Sequence, residues 1–262
     1  MKTERTTRGF GLRVYGVGVA ALGLACLAFG DFDPGQKVPM NFPARTPLAY
    51  CAGAFMVVAA SAMEWRRTAA WGAGALTVYY TVFVLLLMDG RMLLRGYGVY
   101  GTYEDIAMQL AIAASALIVY AGNAQIDRAT AVRLTRIGRI AFGICPVIWG
   151  GAHFMYMNMT APLIPKWLPP GQVFWGYLTG VCFIAAGLAI LTGIQARLAA
   201  ILLTVMIASF GLLANGPMLV ANPSSHFNWT ESALNLALIG AAWVVADSLS
   251  KAHSIPSGLE LR

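Results

Sequence analysis

Eight stretches without a single Asp, Glu, Lys or Arg cover most of this chain: 14–30, 46–63, 68–88, 106–126, 140–165, 167–196, 198–230 and 232–246. Several reach the roughly 18–20 residues that a helix needs to cross a hydrocarbon core. The longer ones contain Pro and Gly clusters, which leave room for a helix plus a loop. Charged residues make up 11% of the 262, less than half of the roughly 25% usual in a soluble domain. No run of alternating polar and apolar residues suggests a transmembrane barrel, so helices remain the way to satisfy the backbone in lipid. The expected fold is all-α: a polytopic membrane protein of about eight transmembrane helices.

A formal charge of +7 would suit nucleic acid, but its distribution argues against such a partner. With eight crossings and the N-terminus inside, thirteen basic residues fall on one face: Lys2, Arg5, Arg8, Arg13, Arg66, Arg67, Arg128, Arg133, Arg136, Arg139, Arg197, Lys251 and Arg262. Lys37, Arg45, Arg91, Arg95 and Lys166 fall on the other. The positive-inside rule then puts both termini in the cytoplasm, and the basic residues read as topology signals and contacts to anionic membrane lipid. The basic start and apolar core of 1–30 look like a secretion signal. No small-x-small cleavage site followed by a soluble domain appears, so this segment reads as a retained first helix. Cys26, Cys51, Cys145 and Cys182 form no C-x-x-C pair, which signals neither zinc nor a redox disulfide.

The sequence repeats itself. A shift of 127 residues places Gly16 on Gly143, Gly23 on Gly150, Pro43 on Pro170, Tyr50 on Tyr177, Gly53 on Gly180 and Glu104 on Glu231. The match slips by three at the next boundary, where Arg67-Thr68-Ala69-Ala70 resembles Arg197-Leu198-Ala199-Ala200. Each half reads as helix, long outer loop, helix, tight inner turn, helix, outer loop, helix. Four crossings return the chain to its starting side, so the halves are expected to be parallel repeats about an axis normal to the membrane. The expected units are 1–122, a basic cytoplasmic linker 123–136, a second repeat 137–250 and a cytoplasmic tail 251–262. Long outer loops rich in Pro, Gly and aromatics make the outer face the place to look for function.

Within the second half, Arg139-Ile140-Ala141-Phe142-Gly143, Gly151-Ala152-His153-Phe154 and Leu163-Ile164-Pro165-Lys166-Trp167-Leu168-Pro169 form a recognisable series. With Gly176-Tyr177-Leu178-Thr179-Gly180, Ala185-Ala186-Gly187 and Ala196-Arg197-Leu198-Ala199, they resemble the DoxX family of small membrane proteins over about 136–246. The first half looks like a diverged copy, with Cys26 where the second has His153. The resemblance implies a four-helix unit in a bacterial inner membrane, associated with quinone-linked redox chemistry and with a soluble redox partner protein. It narrows fold more than function.

His153 and Glu231 are the candidate catalytic pair, since an imidazole beside a carboxylate in a low-dielectric cleft can pass a proton to a bound quinone. His226, Trp229, Lys166, Trp167 and Glu104 are candidate cofactor-binding residues at the outer helix ends. Met155, Met157 and Met159 follow His153 with the alternation that an extended chain would present on one side, a ligand set suited to Cu(I). Each has a plainer counterpart. The methionines would also suit an interfacial helix end, Lys166 and Trp167 a snorkelling anchor. Glu104 and Glu231 would suit the first turn of a helix, where the dipole favours a carboxylate. Asp31 and Asp33 read as a solvated loop.

The leading expectation is a redox-associated subunit with a quinone, or another lipid-soluble ligand, in an outer-leaflet pocket. A transporter, a copper-binding protein and a membrane scaffold or chaperone stay open. No Gly-x-Ser-x-Gly, His-Glu-x-x-His or phosphate loop appears. A reporter active only in the cytoplasm should work when fused after Arg262 or inserted at 64–67, and stay silent at 166–170. The reverse pattern would overturn the charge-based topology.

Overall fold

The computed structural model describes residues 9–252. The expected basic start (Lys2, Arg5, Arg8) and most of the expected tail lie outside the described residues. Within them there is no strand. Eight long helices follow in order: α1 Phe10–Phe29, α2 Arg45–Met63, α3 Ala69–Gly96, α4 Tyr100–Asn123, α5 Arg128–Met155, α6 Gln172–Thr192, α7 Ala196–Ala221 and α8 His226–Ala252. Seven are long and apolar enough to cross a membrane. The eighth span is α5 taken with the bent segment Met157–Leu163, which turns away from it by 89°. The protein is an all-α polytopic membrane protein.

Local chemistry sets the helix ends. Gly30 and Gly193 take the left-handed conformation that closes α1 and α6. Asp127 opens α5 by accepting the backbone N–H of Thr130 at 2.9 Å. That cap starts α5 at Arg128, so most of the basic segment expected as a linker is the helix's own first two turns. Helix α3 also runs past its charge-free stretch, through Asp89 to Gly96. Its segment Tyr79–Asp89 is wound as a π-helix, as is Gly211–Asn215 of α7. π-turns widen a helix and often mark functional sites.

Each helix packs on its neighbour in sequence, and α8 closes the ring against α1. Helices α4 and α8 also meet across the middle. They are the most enclosed spans, 61% and 72% buried against at most 44% for the other single-helix spans. Lipid supplies no hydrophobic drive between helices, so they associate through close backbone approach at small residues. Ala107, Ala111, Ala114 and Ala116 of α4 and Ala233, Ala237, Ala241 and Ala242 of α8 are all buried. A Cβ on Gly18 would lie 2.3 Å from the backbone N of Ala237, and one on Gly240 would lie 2.1 Å from that of Tyr15. Tyr15 then donates its hydroxyl to the Ile112 carbonyl at 2.8 Å, tying α1 to α4 through the buried centre.

The glycines aligned by the repeat do matching work. Gly23 and Gly53 each face the other's carbonyl, with Cβ positions 2.6 and 2.7 Å from it. Their counterparts Gly150 and Gly180 show 2.5 and 3.2 Å. Both pairs bring the first and second helices of their half together.

Gly240→Leu or Gly18→Leu should abolish the folded monomer, because backbone rather than a movable side chain blocks the space; overpacking of this kind costs about 3 kcal/mol or more. Gly98→Ala, with nothing within 4 Å of the new methyl, should leave thermal stability unchanged. Size-exclusion profiles and melting temperatures in detergent decide between these outcomes.

Candidate functional site: an apolar cavity with buried polar groups

Helices α5, α6, α7 and α8 enclose a cavity of about 580 Å³, completed by α4 on one side and by the loop after α5 on the other. Its walls are mainly apolar, including Met108, Trp149, Phe183, Ile207, Phe210 and Leu234. His153, Glu104 and Glu231 line it together. A volume in the few-hundred-Å³ range with few polar groups is typical of a small-molecule site.

His153 is held by α6. Its Nδ1 lies 3.0 Å from the Gly176 carbonyl and 3.1 Å from the Thr179 hydroxyl. A carbonyl oxygen only accepts, so Nδ1 carries the proton and Nε2 is the acceptor of the neutral ring. Phe183 packs on the ring at 5.4 Å between centroids. Gly180 permits this approach, since a Cβ there would lie 2.9 Å from that of His153.

Glu104 and Glu231 do not sit in the first turns of α4 and α8; neither helix has an acid there. Helix-dipole stabilisation in the first turn therefore does not account for them, and both carboxylates are instead among the cavity's lining. Glu104 belongs to the first half of the chain, yet it lines the cavity of the second, because α4 packs against α5 and α8.

Three lining residues escaped the sequence reading. Trp149 is buried with an indole N–H that has no partner. Asn235 donates to the Ile207 carbonyl at 3.1 Å, and Asn215 reaches the Glu231 carbonyl at 3.4 Å. A signal existed for two of them: Trp149 precedes His153 by one helical turn, and Asn235 follows Glu231 by one. Asn215 had none, because its placement depends on the π-turn in α7.

The other candidates disperse. His226 lies against α1, stacked on Phe29 at 4.7 Å, and is not among the cavity's lining residues. Trp229 is exposed and donates to the Pro223 carbonyl at 2.8 Å. Lys166 and Trp167 are exposed on the loop whose neighbours Pro165 and Leu168 line the cavity. The methionines do not share a side: the chain is helical to Met155, breaks at Tyr156 and restarts at Met157. Met155 and Met159 are exposed, whereas the sulfur of Met157 abuts Gly176. Among the described residues, no three His, Cys, Asp or Glu side chains form a group that could hold a metal.

The first half has a different interior at the same level. Its loop between α1 and α2 folds inward, and the short 3-10 helix Pro34–Gln36 packs between the π-segment of α3 and α4. Phe32 and Val38 bury beside Ala49, Ala52 and Met88. Gln36, wholly buried, accepts from the Tyr79 hydroxyl at 3.0 Å. Asp33, read from sequence as solvated, is buried and accepts the Gly35 N–H at 3.0 Å. At the 127-residue offset Asp33 and Gln36 stand where Thr160 and Leu163 rim the cavity of the second half.

Compared with known protein families, curated proteins and solved structures, the chain matches none.

Proposed function

We propose that the protein binds a quinone, or a lipid-soluble molecule of similar shape, in the cavity of its second half, and that it serves redox chemistry together with a partner protein. The DoxX-like motifs of 136–246 suggest the same assignment. The observation that carries it is the meeting of His153, Glu104 and Glu231 in one apolar cavity, whose wall includes Trp149 with a buried, unpartnered indole N–H.

A quinone ring is flat and apolar, with a carbonyl oxygen at each end. Trp149 offers a hydrogen-bond donor to one carbonyl without breaking an existing bond, and a protonated carboxyl of Glu104 or Glu231 offers one to the other. When the ring takes two electrons from the redox partner, each carbonyl oxygen takes one proton. The two glutamates are the groups able to deliver them, and His153 can pass one on only after its Nε2 has accepted it. The apolar walls contributed by α6 and α7 suit an isoprenoid tail, and these two helices are among the least enclosed in the bundle, 33% and 22% buried. A tail could therefore leave between them into lipid. In this reading the bacterial inner membrane houses the protein, with the cavity towards the outer leaflet.

Titration of the purified protein with a short-chain benzoquinone should quench tryptophan fluorescence saturably. Trp149→Phe should remove most of that quenching, and His153→Ala or Glu231→Gln should weaken binding about ten-fold, equivalent to about 1.4 kcal/mol. Quenching that never saturates, or that is identical in all four proteins, would refute the assignment.

A further inference from the structure

All six acidic residues on the expected outer face, Asp31, Asp33, Asp89, Glu104, Asp105 and Glu231, lie within or beside one region. Asp31 is paired with Arg45 at 2.7 Å. The others divide between two neighbouring interiors. Asp33 is 3% exposed and Asp89 1%, and three of their four carboxylate oxygens have no partner within the protein. Gln109 of α4 is 0% exposed, and neither its amide nitrogen nor its amide oxygen has a partner. Five buried polar atoms with nothing to bond are costly unless water or a proton satisfies them.

Gln109 and Asp33 converge on Gly35. A Cβ built there would lie 2.6 Å from Nε2 of Gln109 and 3.2 Å from Oδ2 of Asp33. Any side chain at this position would therefore push against the Gln109 amide. Asp89 ends the π-wound segment of α3, which packs on the short helix Pro34–Gln36. Lys37 and Asp105 pair at 2.9 Å and remain about a third exposed, so the region touches outer water at that pair. Tyr79 of α3 closes the site on one side, donating its hydroxyl to Gln36 next to Gly35 at 3.0 Å.

The two interiors join on α4. Consecutive residues of a helix point about 100° apart. Asp105 turns to Lys37 in the first half, while Glu104 lines the cavity in the second. Glu231 of α8 lines that same cavity, beside Glu104.

We propose that Asp33, Asp89 and Gln109 form a hydrated proton-exchange site that takes protons from outer water at Lys37–Asp105 and hands them through Glu104 to the cavity. Each transfer breaks one O–H bond on the donor and makes one on the acceptor, and no electron moves. The net event is one proton in at Asp105 and one proton out at Glu104 or Glu231. Its use to protonate a reduced ligand rests on the reading of the cavity given above; the relay itself does not.

Burial supports the site's readiness to hold a proton. It pushes Asp33, in the loop between α1 and α2, from 3.8 to about 6, against the opposing Gly35 N–H and Lys37 charge. The folded chain therefore binds more protons than the unfolded chain between those values. Asp33 should stabilise the fold as pH falls through about 6, and that gain should be gone above it. Asp33→Asn should flatten this pH dependence of the melting temperature.

The direct test is infrared spectroscopy of the full chain in lipid nanodiscs, without any quinone, following hydrogen–deuterium exchange of the buried carboxyl band that Glu231→Gln removes. Asp89→Asn, Gln109→Leu and Glu104→Gln should each slow that exchange roughly ten-fold or more. Gly35→Ala, which places a methyl against Gln109 and Asp33, should do the same without altering any acid. It stands in for any charge variant that fails to fold. Unchanged exchange in the folded variants would overturn the relay. So would a carboxylate signal that moves with sodium concentration at fixed pH, which would make the site a cation site instead. Because no quinone is present, slowed exchange alongside failed fluorescence titration would retain the relay and reject only the cavity's ligand.

Discussion

The bundle depends on backbone contact at its centre. Helices α1 and α8 approach so closely that Gly18 and Gly240 have no room for a methyl group, and buried alanines line α4 and α8. In lipid this contact is worth more than a greasy interface would be, since Leu against Leu gains little over Leu against acyl chain. With α4 and α8 joined in the middle, the other helices must lie around them. Two interiors follow, one bounded by each run of four helices.

Those interiors share a plan and differ in contents. The loop between α1 and α2 carries Phe32, Gln36 and Val38, which bury themselves, and Asp33 goes in with them. The loop of the second half turns by 89° after Met155 and stays at the rim, with Leu163 half exposed. One interior is filled by the protein's own chain and the other is left as a cavity. Cys26 and His153 occupy matching positions at the 127-residue offset, one in each. The filled half needs only a small buried side chain there, while the open half presents an imidazole to its cavity.

Buried polar atoms without partners concentrate near this boundary. Trp149 lines the cavity; Asp33, Asp89 and Gln109 lie in the filled half. A membrane protein tolerates such groups where water, a proton or a ligand completes them. The π-wound segments of α3 and α7 belong to the same picture. Asp89 and Asn215 each end one of these segments, the first buried and the second lining the cavity.

Charge-free stretches, tight basic turns and the 127-residue offset were enough to determine a membrane bundle of about eight helices, because a polar backbone in lipid leaves no cheaper alternative than helix. They also put His153, Glu104 and Glu231 near outer helix ends. Which side chains would meet was beyond the sequence, since facing directions depend on how α4 and α8 cross. That crossing brought Glu104 into the opposite half's cavity, and the packing of α8 on α1 left His226 stacked on Phe29. The break at Tyr156 likewise dispersed Met155, Met157 and Met159, whose alternation would matter only in an extended chain. The burial of Asp33 was illegible for a related reason: an Asp-Pro-Gly loop looks solvated in sequence, and only the space between α3 and α4 shows that it folds inward. Periodicity and charge act along the chain and can be read there, whereas a site is made by side chains from separate helices, and only the tertiary structure decides which of them share a space.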